Sequence, residues 1–225
     1  MNKAAILALV ILTAAVLGCS KVMPGSNSTG SNGSGPTTSG PTTTAPTGGE
    51  PFKPSGDVKT DLQEISKRFA AAPAFQSKKT GDGVNMEVNY QAPDRYHLTT
   101  SALFDTIIIG KDSYTKIGGK WHKQTAQLDQ SITAMRDMFT EQGLKLITDS
   151  ALVGDDTIDG KPALLYKFKS GGTGGVGSYE SQLWISKSDG MPLRVEVKYD
   201  SGPLKTVTIN YTYDPNVKVE APTPE

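Results

Sequence analysis

The sequence predicts a mostly β domain of the α+β class, in which an antiparallel sheet is accompanied by two short helices. Several segments alternate between apolar and polar residues, which is typical of antiparallel strands with one dry and one solvated face. Turn-forming pairs such as Asp159-Gly160 and Asp189-Gly190 fall between these segments, as hairpins require. Apolar residues at helical spacing occur in only two stretches.

Residues 1–18 have the features of a lipoprotein signal peptide. Lys3 precedes an apolar run that is too short for a comfortable bilayer span, and the small residue Gly18 ends it. The residues Val16-Leu17-Gly18-Cys19 resemble a bacterial lipobox, and Cys19 is the only cysteine of the chain. This resemblance implies that Cys19 is the lipid anchor and the N-terminus after cleavage. Ordinary secretion, with cleavage near Gly18, is the alternative.

Residues 19–56 are predicted to be a lipidated N-terminus and a disordered tether. Of the 33 positions from Pro24 to Gly56, 27 are Gly, Pro, Ser or Thr, and such a segment cannot bury enough apolar surface to order itself. We expect residues 57–225 to form one folded domain. This domain carries 20 basic and 22 acidic side chains, a balance that argues against nucleic acid as a partner.

Two segments have the apolar spacing of helices. The first spans Asp57–Ala72, begins at a residue that can cap a helix and is followed by Pro73. Its apolar residues are Leu62, Ile65 and Phe69. The second segment spans Asp129–Gln142 and is followed by a glycine. Its apolar stripe consists of Ile132, Met135 and Phe139.

The predicted strands expose more apolar surface than these helices can cover. About ten strands each present three or four apolar side chains on one face, so the sheet must close on itself, dimerise or leave an apolar cavity. An apolar ligand would suit the last arrangement. Each buried methylene contributes about 0.8 kcal/mol, so a long acyl chain would gain roughly 10 kcal/mol before entropic costs.

The order of elements and several short phrases resemble the bacterial LolA/LolB-like superfamily, in particular its anchored LppX/LprG-type lipoproteins. The phrases are residues 90–96 (YQAPDRY), 117–121 (IGGKW), 157–163 (TIDGKPA) and 183–194, which contains LWI and GMPLR. The resemblance implies a curved antiparallel sheet that forms an incomplete β-barrel, with helices lidding its concave face. It also implies a membrane-anchored protein that binds lipid or lipidated protein in an apolar cavity for envelope transport.

We expect the cavity to be lined by apolar residues of the dry strand faces and of the second helix. These are Met86, Val88, Leu98, Ile107, Ile109, Ile132, Met135, Phe139, Leu193, Val195 and Ile209. The expected partners are lipid or the acyl chains of a lipoprotein, the membrane through lipidated Cys19, and an envelope protein. The expected location is the outer face of the cytoplasmic membrane or the outer membrane, after export.

The sequence shows no catalytic constellation, so we expect no enzyme activity, no cofactor and no metal. His97 and His122 are the only histidines, and they have no cysteine partner. Calcium-loop spacing and a distal Glu are missing from the cluster of Asp155, Asp156 and Asp159. Two alternatives to lipid binding stay open: an RseB-like interaction or sensor module, and a structural surface lipoprotein with a closed core.

Replacing Cys19 by Ser removes the thiol that the anchor requires. We expect Cys19→Ser to move from the detergent phase to the aqueous phase when cells are fractionated by detergent phase separation. Ser20→Ala, one position further along, is the matched control and should stay in the detergent phase. Full retention of Cys19→Ser with detergent would contradict lipidation.

Overall fold

The computed structural model describes residues 50–81, 83, 85–102, 105–125, 144–170, 178–200 and 206–223. These residues form a helix, α1 (Val58–Ala70), and eleven strands. The strands are β1 (Ala74–Thr80), β2 (Met86–Gln91), β3 (Arg95–Thr100), β4 (Asp105–Ile109), β5 (Asp112–Ile117), β6 (Lys120–Thr125), β7 (Ile147–Ile158), β8 (Lys161–Ser170), β9 (Tyr179–Ser186), β10 (Pro192–Tyr199) and β11 (Thr206–Thr212). The predicted second helix, Asp129–Gln142, lies outside the described residues.

All eleven strands belong to one antiparallel sheet in the order β6-β5-β4-β3-β2-β1-β11-β10-β9-β8-β7. Neighbours in the chain are neighbours in the sheet, except that β1 pairs with β11 in the middle and β6 and β7 form the two edges. The sheet is curved and does not close into a barrel. This architecture confirms the predicted fold class.

Helix α1 begins where the sequence predicts. Asp57 is the N-cap, and its carboxylate accepts a hydrogen bond from the Thr60 N–H at 2.8 Å, which lowers the pKa of Asp57. The apolar residues of the helix are all buried, namely Leu62, Ile65 and Phe69. The helix ends at Ala70, three residues before Pro73, so the predicted end at Ala72 is two residues late.

The folded domain begins earlier than composition predicts. Phe52 is only 6% exposed and packs in the same core cluster as Leu62. The Arg68 guanidinium lies 5.4 Å from the centre of the Phe52 ring and donates a hydrogen bond to the Glu50 carbonyl. At Gly190, where φ is +71°, an added Cβ would lie 2.7 Å from the Phe52 ring. The prediction of a disordered tether is therefore wrong for residues 50–56, because the buried Phe52 ring orders a segment that is otherwise rich in Pro, Ser and Gly.

Neither α1 nor any other helix in the described part of the chain has the length and apolarity that a membrane crossing requires.

Phe52→Ala removes a buried ring, so we expect the free energy of unfolding to fall by about 3 kcal/mol, the lower end of typical Phe-to-Ala losses in cores. Urea unfolding followed by tryptophan fluorescence measures this loss. The exposed neighbour Lys53 gives the control, and Lys53→Ala should change stability by less than about 0.5 kcal/mol. Equal, small effects of both changes would place the start of the domain after residue 56.

Candidate functional site

One face of the sheet carries α1, and we call it the inner face. Tyr166, Leu183 and Val195 are cross-strand neighbours on β8, β9 and β10, and they pack in one cluster with Leu62 and Ile65 of the helix. Residues that are directly paired in antiparallel strands point to the same side of the sheet. The strand register therefore assigns each paired residue to the inner face or to the opposite, outer face.

Two core clusters occupy the inner face. The β7–β10 cluster consists of Phe52, Leu62, Ile65, Leu144, Ile147, Leu164, Tyr166, Phe168, Leu183, Ile185, Val195 and Val197. The β1–β4 cluster consists of Phe69, Ala72, Phe75, Val88, Tyr90, Tyr96, Leu98, Ile108, Met191 and Tyr213. Helix α1 contributes to both clusters and so bridges the two halves of the sheet.

Near the β1–β11 junction, partly buried residues form a strip on the inner face, which we call the inner strip. It consists of Ser77, Lys79, Met86, Ile209 and Tyr211. Lys79 is paired with Met86 on one side and with Ile209 on the other, and Ser77 is paired with Tyr211. Met86 packs against the β1–β4 cluster, whereas Ile209 belongs to neither cluster. Within the described part of the chain, the strip therefore holds apolar surface that the two clusters do not fully bury.

Tyr211 brings a hydroxyl into this apolar setting. Its ring packs against both clusters, with its centre 5.4 Å from that of Phe69 and 6.2 Å from that of Phe75. Burial raises the pKa of the Tyr211 hydroxyl. Among the described residues this hydroxyl has no hydrogen-bond partner, whereas the Tyr213 hydroxyl donates to the Pro192 carbonyl at 2.8 Å.

A buried carboxylate holds α1 on the inner face. Asp61 is 3% exposed and accepts hydrogen bonds from the Tyr166 hydroxyl at 2.8 Å and from the Ser55 N–H at 2.7 Å. Burial of Tyr166, and secondarily its bond to Asp61, raises the pKa of the phenol. Because both partners are buried, losing either one leaves a polar group without its hydrogen bond. The contact fixes the first half of the helix over β8.

The predicted cavity residues divide between the two faces. Those on the inner face are Met86, Val88, Leu98, Val195 and Ile209. Met86 and Ile209 both lie in the inner strip, on either side of Lys79. Four predicted site residues lie outside the described residues, namely Cys19, Ile132, Met135 and Phe139.

The placement of Ile107 and Ile109 in the cavity is wrong. Strand β4 contains three consecutive isoleucines, and only Ile108 faces inward, opposite Tyr96. Ile107 lies on the outer face, where it packs with Tyr114 and with Val219 of the C-terminal segment; Ile109 packs against the same cluster. The Val219 N–H donates to the Gln91 side chain at 2.9 Å, so this segment is held on the outer face.

Leu193 was also expected in the cavity, and it too lies on the outer face. The register of β9 and β10 shifts between Pro192 and Arg194, so a β-bulge interrupts the alternation at this residue. Leu193 instead packs with Trp184 and other outer-face residues. The Trp184 Nε1–H donates to Asp156 at 2.7 Å, which lowers the pKa of that carboxyl.

The polar residues that the sequence singled out have separate partners. The His97 imidazole lies 2.8 Å from the Asp105 carboxylate on the outer face. Asp155 pairs with Lys187 at 2.8 Å, and Asp159 pairs with Arg194 at 3.3 Å. Within the described ranges, no group of three or more His, Cys, Asp or Glu residues is placed to hold a metal ion.

Sequence reasoning missed the polar members of the inner strip. Strand β1 reads AFQSKKT and shows no clean alternation, so Lys78 and Lys79 look equivalent. The signal that could have separated them is Phe75, because counting by two from this aromatic residue places Ser77 and Lys79 on its face.

Solved structures share this fold. LppX, a lipoprotein of Mycobacterium tuberculosis, matches with a TM-score of 0.56 at 13% identity, over 74% of this chain and 100% of LppX. LprF from Mycobacterium bovis matches with a TM-score of 0.50 at 16% identity, over 79% of this chain and 99% of LprF. The chain thus has an LppX-type fold, as the resemblance implied. Its sequence matches no protein-family model and no curated protein.

Tyr166→Phe removes one donor from the buried Asp61 carboxylate. We expect the free energy of unfolding to fall by about 1–3 kcal/mol, the usual loss when a buried acceptor is left unsatisfied. Thermal and urea unfolding measure it. Tyr179 of β9 supplies the control: it is partly buried and its hydroxyl has no partner among the described residues, so Tyr179→Phe should be nearly neutral. Equal effects would show that the bond does not hold α1.

Proposed function

We propose that this protein is a membrane-anchored lipoprotein that binds lipid, or the acyl chains of a lipidated protein, along the inner strip. The observation that carries the proposal is that Ile209 and Met86, which flank Lys79 on the inner face, are apolar and only partly buried by the described residues. Such surface is costly to leave in water, and a flexible hydrocarbon chain is the chemistry that covers it best.

The anchor and the fold support the same proposal. LppX, whose fold this chain shares, is a lipoprotein. Cys19, at the end of an export signal, supplies the residue that such an anchor requires. In this proposal the domain stands on the outer face of the cytoplasmic membrane or on the outer membrane. There it would carry lipid or a lipoprotein within the envelope.

Binding in this proposal is non-covalent and reversible. Met86 and Ile209 contact the bound chain, while Val88, Leu98 and Val195 form the walls beside it. Because each buried methylene contributes about 0.8 kcal/mol, each methylene more or less changes the affinity about fourfold.

Ile209→Trp fills the inner strip with a neutral side chain, so we expect it to weaken binding of a fluorescent long-chain acyl methyl ester about tenfold. Displacing about two methylenes of the probe accounts for this, since 1.4 kcal/mol is a factor of ten. Fluorescence titration of the purified protein measures the affinity. Thr208, the preceding residue, is paired with Glu196 on the outer face, so Thr208→Trp is the matched control and should bind like the wild type.

Extraction of the purified wild-type protein with organic solvent, followed by mass spectrometry, complements the titration. We expect a co-purifying lipid or acyl species. A wild-type protein that carries no lipid and binds no acyl probe would contradict the proposal and favour a closed core.

A further inference from the structure

Two adjacent lysines of β1 have opposite environments. Lys78 faces outward, is largely exposed, and pairs with Glu87 at 2.8 Å. Lys79 faces inward, where its cross-strand neighbours are Met86 and Ile209. The two residues differ in the face they occupy, and only Lys78 has a carboxylate across the strand pair.

No acid balances Lys79 within the described part of the inner strip. The other strip members carry hydroxyls or apolar groups only. Asp61, a buried carboxylate contributed by α1, is already bonded to Tyr166 and Ser55. Lys79 has no ion pair or hydrogen bond to its side chain among the described residues. A cation beside apolar surface is costly unless a negative charge or water satisfies it.

Two hydroxyl-bearing residues are close neighbours of Lys79 in the strand register. Ser77 precedes Lys79 by two residues and therefore shares its face, and Tyr211 is paired with Ser77 on the neighbouring strand. Diagonal neighbours of this kind lie about 7–8 Å apart between backbones, which long side chains span. The Tyr211 hydroxyl has no hydrogen-bond partner within the described ranges. One cation and two hydroxyl-bearing residues thus share the inner face of β1 and β11, and Lys79 lies between Met86 and Ile209.

We propose that Lys79, with the hydroxyls of Tyr211 and Ser77, binds the anionic head group of an amphiphile whose chain lies along the inner strip. This inference rests on the proposed function and adds the ligand class: a lipid that bears a carboxylate or a phosphate in preference to a neutral one. The ammonium and the hydroxyls donate hydrogen bonds to the anion, and charge-assisted bonds of this type are stronger than neutral ones. Met86 and Ile209 contact the first methylenes of the chain.

The test compares probes that share one chain and differ in charge. A fluorescent long-chain fatty acid presents a carboxylate, the single-chain lysophosphatidic acid with the same labelled chain presents a phosphate, and the fatty acid methyl ester presents neither. Each is titrated into wild type, Lys79→Met, Lys79→Arg and Lys78→Met. Lys78→Met is the matched control, because it removes the same charge from the outer face one residue away.

We expect the wild type to bind at least one of the two anionic probes about tenfold or more tightly than the ester. A charge-assisted hydrogen bond accounts for a difference of this size. Lys79→Met should abolish this preference while leaving ester binding within about twofold, and Lys79→Arg should retain most of it. Lys78→Met should behave as wild type. The Lys79→Met change should weaken binding of one anionic probe more than the other, and that probe identifies the head group as a carboxylate or a phosphate.

Several outcomes would overturn the inference. If the wild type binds ester and acids equally, or if Lys79→Met and Lys78→Met lose affinity equally, Lys79 is a solvated strand residue; the proposed function then stands without a charge preference. If the wild type binds none of the probes, the proposed function fails together with this inference. Melting curves check that each variant is folded, and Lys79→Gln replaces Lys79→Met if the latter is unstable.

Discussion

The inner face of the sheet is wider than the helix that covers it. Eleven strands at a spacing of about 4.8 Å extend over roughly 48 Å of arc, whereas α1, with 13 residues, is about 20 Å long and 10 Å wide. Among the described residues α1 is the helix packed on this face. Among the described residues, α1 therefore covers only part of the inner face, and it contacts the inner strip through the rings of Phe69 and Tyr211.

The position of α1 decides which apolar residues become core and which stay available. Leu62 and Ile65 complete the β7–β10 cluster, and Phe69 completes the β1–β4 cluster. Asp61 secures the first half of the helix to Tyr166. Because the buried Asp61 carboxylate keeps this hydrogen bond in only one arrangement of α1 and β8, the contact selects a single position of the helix on the sheet.

The sequence predicts the face of a strand residue where strict alternation of apolar and polar residues is present. Strict alternation placed Met86, Val88 and Leu98 on a common face. Alternation could not assign faces in β4, because three consecutive isoleucines do not show which of them points inward. It gave the wrong face for Leu193, because a β-bulge inserts one residue into the alternation. The burial of Phe52 could not be predicted, because the segment around it is rich in Gly, Pro, Ser and Thr. The hydrogen bond between Asp61 and Tyr166 joins residues 105 positions apart, and no local sequence pattern predicts such a contact.

The proposed position of ligand chains is the inner face of the sheet at the β1–β11 junction. A fatty acid bearing a diazirine on its chain tests it most directly, by photolabelling the wild-type protein and mapping adducts with tandem mass spectrometry. We expect adducts on Met86, Ile209 and Tyr211 that excess unlabelled fatty acid suppresses. Adducts confined to outer-face residues such as Trp184 or Leu193, or labelling that excess fatty acid leaves unchanged, would contradict it.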